Sequence, residues 1–236
     1  TLFRSGKSAM ALGLAATPAL AQQPGCDRAC LVKFVDAYYA ALTANNPAAL
    51  PQAAKARITE NGLETKLGNT FWDSAEQVTW RFDIVNPRRG DTGTQVVVRN
   101  ADGSKTMQIL RLKVAGGAIT EMEIIKANQG DADRLWGPDQ LTSVSHNLTM
   151  TIREQDRDSY YDLIGTAESY WRAFQTNGTP EYHRADLQPD TTRFENGVHF
   201  TGTVRNGAYA TAADGFERGR FIGRNLWDRR HAVVDE

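Results

Sequence analysis

The feature that most constrains this chain is that one pattern runs through it twice. Ala-Tyr-Tyr-Ala-Ala-Leu-Thr-Ala-Asn-Asn-Pro from Ala37 returns as Ser-Tyr-Trp-Arg-Ala-Phe-Gln-Thr-Asn-Gly-Thr from Ser169. Tyr38 falls on Tyr170, Tyr39 on Trp171, Leu42 on Phe174 and Asn45 on Asn177, each 132 positions on. Thr59-Glu60-Asn61-Gly62-Leu63 then matches Phe194-Glu195-Asn196-Gly197-Val198 at a separation of 135. A third and weakest match sets Arg81–Asn86 on Arg230–Asp235, 149 apart. Three matches in one order mark an internal repeat, so the chain must build the same small unit twice.

Each copy opens on an amphipathic helix. Leu31, Phe34, Val35, Tyr38, Tyr39 and Leu42 form one apolar stripe, as do Tyr160, Leu163, Ile164, Ala167, Tyr170, Trp171 and Phe174. Asn45-Asn46-Pro47 and Asn177-Gly178-Thr179-Pro180 stop them. In the first copy β-rich runs follow at Val96–Val98, Met107–Val114 and Ile119–Ile125, separated by turn chemistry at Asn100–Gly103 and Ala115–Gly117. A helix set on one face of a curved antiparallel sheet is an α+β layout.

That order and those residues resemble the nuclear transport factor 2-like superfamily of cone-shaped α+β barrels, to which SnoaL-like cyclases and ketosteroid isomerase belong. A closer resemblance is to a group of exported bacterial and fungal proteins classed as a domain of unknown function. It is carried by Cys26-x-x-x-Cys30, Tyr38-x-x-Ala41-Leu42, Leu50-Pro51, Thr59-Glu60-Asn61-Gly62, Leu67-Gly68 and Trp72. It covers residues 26 to about 127, and 157–236 more loosely. The resemblance implies two tandem cones, at 22–128 and 157–236, joined by a linker at 129–156 that Trp136 pins to the first. It brings no activity with it. Copy two runs out at Asp235-Glu236, where copy one continues into three long strands, and the chain starts on Thr1 rather than Met. The expectation is an incomplete second cone in a longer protein.

Arg4 and Lys7, the apolar run Met10–Leu20 and Ala19-Leu20-Ala21 have the parts of a secretory signal peptide over 1–21. Its removal takes the net charge from −1 to −3. With no long basic run, that balance argues against a nucleic-acid partner. Hydrophobic residues at 41% and charged residues at 23% suit a packed chain rather than disorder or a multi-pass membrane protein. In an oxidising compartment Cys26 and Cys30 are expected to pair as an N-terminal staple. A redox pair and two free thiols are the alternatives.

In a cone the ligand sits between helix and sheet, against a few polar groups in an apolar wall. Glu60 and Asn61 are the candidate catalytic pair, Glu60 as a desolvated general base and Asn61 as donor to an oxyanion. The competing reading is that Asn61-Gly62 is a hairpin turn, kept in both copies because it builds the fold. Tyr38, Tyr39, Trp72, Trp80 and Arg81, near Phe71 and Phe82, are candidate ligand contacts or plain core. Their second-copy counterparts are Tyr170, Trp171, Glu195, Asn196 and His199, with Glu195 and His199 a possible acid–base dyad. Asp83, Glu121 and Glu123 read as outward-facing, and Arg229-Arg230 as part of a solvated, paired face. No phosphate loop, dinucleotide fingerprint or helical metal pair occurs, so neither cofactor nor metal is expected.

Three functions compete. The first is an exported module binding a small apolar or aromatic molecule. The second is a cofactor-independent lyase, isomerase or hydratase with Glu60 as base. The third is an intramolecular pseudo-dimer whose role lies at an interface.

Overall fold

The computed structural model describes residues 26–131, 135–188, 191–199, 201, 204–205, 208–209, 211–219 and 221–236. The signal segment expected at 1–21 lies outside the described residues.

Helix α1 (Arg28–Thr43) starts where the Asp27 carboxylate accepts from the Cys30 amide, satisfying one of the free donors of the first turn. Cys26 and Cys30 are joined by a disulfide across this cap, with Cα atoms 5.2 Å apart. The helix ends as its sequence demands, with Asn45 at φ 49° and a single 3-10 turn at Pro47–Ala49.

The strands that follow are β1 (Gln52–Glu60), β2 (Leu63–Glu64), β3 (Ala75–Asn86), β4 (Asp91–Asn100), β5 (Lys105–Ala115) and β6 (Ala118–Asn128). The short helix α2 (Thr70–Ser74) precedes β3. The sheet runs β2-β1-β6-β5-β4-β3. Every pair is antiparallel except β1 with β6, which is parallel, so the sheet is mixed where the sequence suggested a purely antiparallel one. A parallel pair needs a long crossover. Here the β2–β5 excursion supplies it, a relation that no local pattern announces.

One sheet face carries Val96, Val98, Leu110, Leu112, Met122 and Ile124 against Leu31, Val35, Tyr38 and Leu42 of α1. Phe71 and Trp72 of α2 close the wide end. The opposite face carries charge. Asp91, almost wholly buried, receives Arg111 at 3.0 Å, Lys113 at 3.3 Å and Arg89 at 3.5 Å. Arg111 continues to Glu121 at 2.8 Å.

Beyond residue 131 come α3 (His146–Thr149), α4 (Tyr160–Thr176), the hairpin β7 (Phe194–Glu195) with β8 (Val198–His199), the hairpin β9 (Val204–Arg205) with β10 (Ala208–Tyr209), and α5 (Asp214–Glu217). The repeat is visible in detail. Helix α4 starts 132 positions after α1, on a Ser159–Asp162 capping box. The β7–β8 hairpin reproduces β1–β2, with Glu195 opposite Val198 as Glu60 is opposite Leu63. Both turns are Asn-Gly in the left-handed region, at 48° and 84° and at 46° and 81°. The likeness stops there. Among the described residues the second segment has no long strands, and its helix packs on a small cluster of Ala173, Ala185 and Phe216. The architecture is therefore α+β on one curved mixed sheet.

Residues 229–236 run along the outside of that sheet. Arg230 pairs with Glu123, while Arg229 and His231 hold Glu168 of α4 at 3.0 and 2.8 Å. Asn86 donates to the Val234 carbonyl at 2.7 Å, and the Val85 amide donates to the Asp235 carboxylate at 3.3 Å. Asp235 also meets Arg28, and Arg88 reaches Glu236 at 2.6 Å. In the third repeat match Val234 and Asp235 are the counterparts of Val85 and Asn86. Val85 thus meets Asp235 and Asn86 meets Val234. Arg230–Asp235 forms no strand, unlike its counterpart Arg81–Asn86 in β3. The linker touches both segments: Asp139 pairs with Lys105, and the Gly137 amide donates to the Asn196 carbonyl.

Candidate functional site

The Glu60–Asn61 pair sits at the tip of the β1–β2 hairpin. Asn61 occupies the left-handed turn position, and its side chain bonds both backbone groups of Lys126, accepting at 2.9 Å and donating at 3.3 Å. Glu60 receives the Lys126 ammonium at 2.9 Å and the Asn69 amide at 3.0 Å. Lys126 in turn lies 5.2 Å from the centre of the Phe71 ring. The pair thus ties the end of β1 to β6 and to the cap of α2 at one corner. Its geometry is that of the turn reading: Asn61 has spent its amide on the backbone and aims no donor into a cavity.

Most of the residues proposed to line a pocket are packed together between helix and sheet. Tyr38 and Trp72 are 0% and 1% exposed, their rings edge to face at 5.6 Å. Tyr39 donates to the Gln108 amide oxygen at 3.1 Å, and the Gln108 amide donates to Tyr38 at 3.2 Å. One buried amide therefore satisfies two phenols. Arg81 lies over Tyr39 at 5.7 Å and is held by Asp83 at 2.9 Å and Asp36 at 2.6 Å. Asp83 faces inward, bonded also by Thr94 at 2.8 Å, which corrects the outward placement read from sequence. Trp80 departs from the cluster. The β3–β4 register shifts between Val78 and Trp80, so Trp80 lies opposite Val97 on the other sheet face, its indole N–H buried without a partner.

Burial pushes the Tyr38 and Tyr39 phenols well above their usual range, Gln108 pulling Tyr38 back only in part. The sign follows directly. Below the unfolded phenol value of about 10 both states are protonated and nothing is lost. Above it only the unfolded chain releases the protons, so stability falls by about 1.4 kcal/mol per pH unit for each phenol. Ultraviolet titration is expected to show two tyrosines that ionise only as the protein unfolds. Ionisation of all seven in the folded state would contradict it.

The second-copy residues are not drawn into one site. Tyr170 and Trp171 contact each other at 5.2 Å, and Tyr170 meets Phe216 at 5.4 Å, as a partly open aromatic cluster. Glu195 pairs with Arg193. His199 stacks on its cross-strand neighbour Phe194 at 4.6 Å. Since Glu195 is opposite Val198 and Phe194 opposite His199, strand alternation puts Glu195 and His199 on opposite faces, which disfavours the dyad raised as one reading and leaves the ordinary-histidine reading. Among the described residues no group of three His, Cys, Asp or Glu could hold a metal ion.

A cavity of about 600 Å³ does open, on the rim of the sheet. Pro47, Ala48, Gln52, Ala53, Ala54 and Ala56 form one side, and Ile58, Thr65, Lys66 and Leu67 the other. The Thr65 amide bonds the Ile58 carbonyl at 3.0 Å, and behind that bond the two arms of the hairpin part. Sequence reasoning passed over this place because Gln-Ala-Ala-Lys-Ala-Arg is a poor strand by propensity. The one available hint was that several alanines in a row leave room beside them.

No curated protein matches the chain. Solved structures with a related shape include IdmH, a candidate polyketide cyclase from Streptomyces antibioticus, with 18% identity over 41% of this chain and 91% of that one, TM-score 0.34. A candidate ketosteroid isomerase from Kribbella flavida shares 12% identity over 55% and 95%, TM-score 0.34. A Catenulispora acidiphila protein with a ketosteroid isomerase-like fold, in complex with trimethylamine, shares 18% over 42% and 88%, TM-score 0.33. Likenesses of that size say nothing about chemistry. The family match is of another order, covering residues 26–127 and 156–236, the two segments that carry the repeat. The chain belongs to the family described as a domain of unknown function, DUF8021.

Proposed function

We propose that this protein is an exported binding module that takes a small apolar or aromatic molecule in the rim cavity, and that its cone is a packed scaffold. The observation that carries the reading is the division of space. The cone interior is occupied by Tyr38, Trp72 and Gln108, whereas about 600 Å³ is open between β1 and Thr65–Leu67, within the usual range for small-molecule sites. Export is supported by the signal-like start and by the Cys26–Cys30 disulfide, a bond typical of oxidising compartments. No helix among the described residues is long and apolar enough to cross a membrane.

Ala54→Trp, which fills the cavity from an exposed position, is expected to weaken binding of the dye 8-anilinonaphthalene-1-sulfonate by about tenfold or more. Glu60→Gln is expected to leave it unchanged. Equal binding by wild type and Ala54→Trp would overturn the reading. The lyase or isomerase alternative requires Glu60 to be free to take a proton, and its bonds to Lys126 and Asn69 weigh against that.

A second reading, two cones paired as an internal pseudo-dimer, is favoured by the reciprocal contacts of Val85 and Asn86 with Asp235 and Val234. Asp235→Ala removes a charged acceptor, and exchange of the Val85 amide is expected to quicken by about tenfold. Unaltered exchange would count against the pairing.

A further inference from the structure

The rim cavity is the gap left by a strand that ends early. Strand β2 pairs with β1 at Thr59 and Glu60, the Thr65 amide adds a bond to Ile58, and the β2 ladder goes no further along that edge of β1. The other edge is interrupted too. Gln52 pairs with Ile119 and Arg57 with Glu121, which leaves Ala53–Ala56 opposite the single residue Thr120. The register is thus irregular across four consecutive residues, and three of them, Ala53, Ala54 and Ala56, line the cavity. An irregular stretch of strand beside an open groove is a place where backbone groups can pair with another chain. The alanine methyl side chains allow another backbone to come close.

From these observations we infer that the groove takes an extended acidic peptide, which adds as a strand where β2 stops. The inference rests on the rim cavity being the binding site and takes its ligand to be a peptide strand in place of a small apolar molecule. Strand addition draws affinity from main-chain hydrogen bonds and selectivity from pockets for alternate side chains. Ile58 and Leu67 supply apolar wall for residues facing in. Charge decides the sign of the rest. Lys66 lines the cavity and Lys55 lies on the same stretch of β1, both exposed and neither ion-paired among the described residues, whereas Glu64 is already engaged by Arg57. Acidic side chains on the added strand would meet unpaired ammonium groups.

The test uses the full chain and a fluorescent, end-blocked Val-Glu-Val-Glu-Val peptide, read by anisotropy and by hydrogen exchange. Binding is expected, with slowed exchange at the amides of Ala53–Ala56. The same peptide N-methylated at alternate amides, and Val-Lys-Val-Lys-Val, are each expected to bind about tenfold more weakly or worse. Lys66→Glu, an exposed change that leaves the fold intact, is expected to reverse the preference between the two charged peptides. Equal binding of the N-methylated peptide, or binding with no protection of Ala53–Ala56, would overturn strand addition. If the dye binds the groove and no peptide does, the peptide inference falls and the binding module stands. If neither binds, both fall.

Discussion

Trp72→Ala is expected to destabilise the protein by about 3–5 kcal/mol, the cost of emptying the largest buried side-chain site in the core. Three things place the loss at the high end. The indole is 1% exposed, so nearly all of its surface returns to water on unfolding. It stands edge to face on Tyr38, and its neighbours belong to α1, α2 and the sheet at once. It also sits on a five-residue helix, capped by Asn69 accepting from the Phe71 amide, that is too short to hold without its packing. The cavity cannot collapse, because β3 and α1 on either side are pinned by long ladders and by the Arg81–Asp36 pair. Urea unfolding followed by circular dichroism measures it, with Trp227→Ala as the control. Trp227 is 79% exposed, and its loss should change stability by less than about 0.5 kcal/mol. Comparable effects for the two would mean that α2 does not close the cone.

Asp91→Ala is the second large effect, again about 3–5 kcal/mol, but from charge rather than volume. Asp91 is 1% exposed and is the shared acceptor of Arg111, Lys113 and Arg89. Removing it leaves the Arg111 guanidinium, itself mostly enclosed, with Glu121 as its remaining close partner. Burial alone would lower the Arg111 pKa, but its acidic partners outweigh that and raise it, which shows how strongly the cluster holds the charged form. Asp91→Asn, which keeps an acceptor of the same shape, is expected to lose distinctly less than Asp91→Ala. Thermal unfolding of the three proteins side by side separates the cases. If the two variants lose the same amount, the network contributes packing and not charge. Because residues 229–236 cross this same face through Arg230 and Glu123, Asp91→Ala should also quicken exchange there.

Much of the fold could be read from the chain because its causes are local. The stripes of α1 and α4 follow from apolar spacing, their ends from Asn45 and from Asn177-Gly178, and the hairpins from Asn61-Gly62, Asn196-Gly197 and Gly116-Gly117. The Cys26–Cys30 bond spans one helical turn and needs no distant partner. The candidate site was far less legible. Tyr38, Tyr39, Trp72 and Arg81 were correctly grouped in space, but grouping does not distinguish a lined pocket from a filled core. Gln108, the amide that satisfies two phenols, was missed because it sits mid-strand with no motif around it. Trp80 was misplaced because one bulge in β3 turns every later side chain to the other face.

By itself the sequence determined the repeat, the two helices, the paired Asn-Gly turns and the family, all properties written in neighbouring residues. Only the tertiary structure decided that β1 runs parallel to β6, that Tyr38, Tyr39, Trp72 and Gln108 are packed together, that a cavity opens beside β1, and that residues 229–236 lie against β3. The physical reason is the same in each case. Register, bulges and the early end of β2 are settled by pairing between residues far apart in the chain, and those pairings decide which backbone groups and which side chains are left without a neighbour.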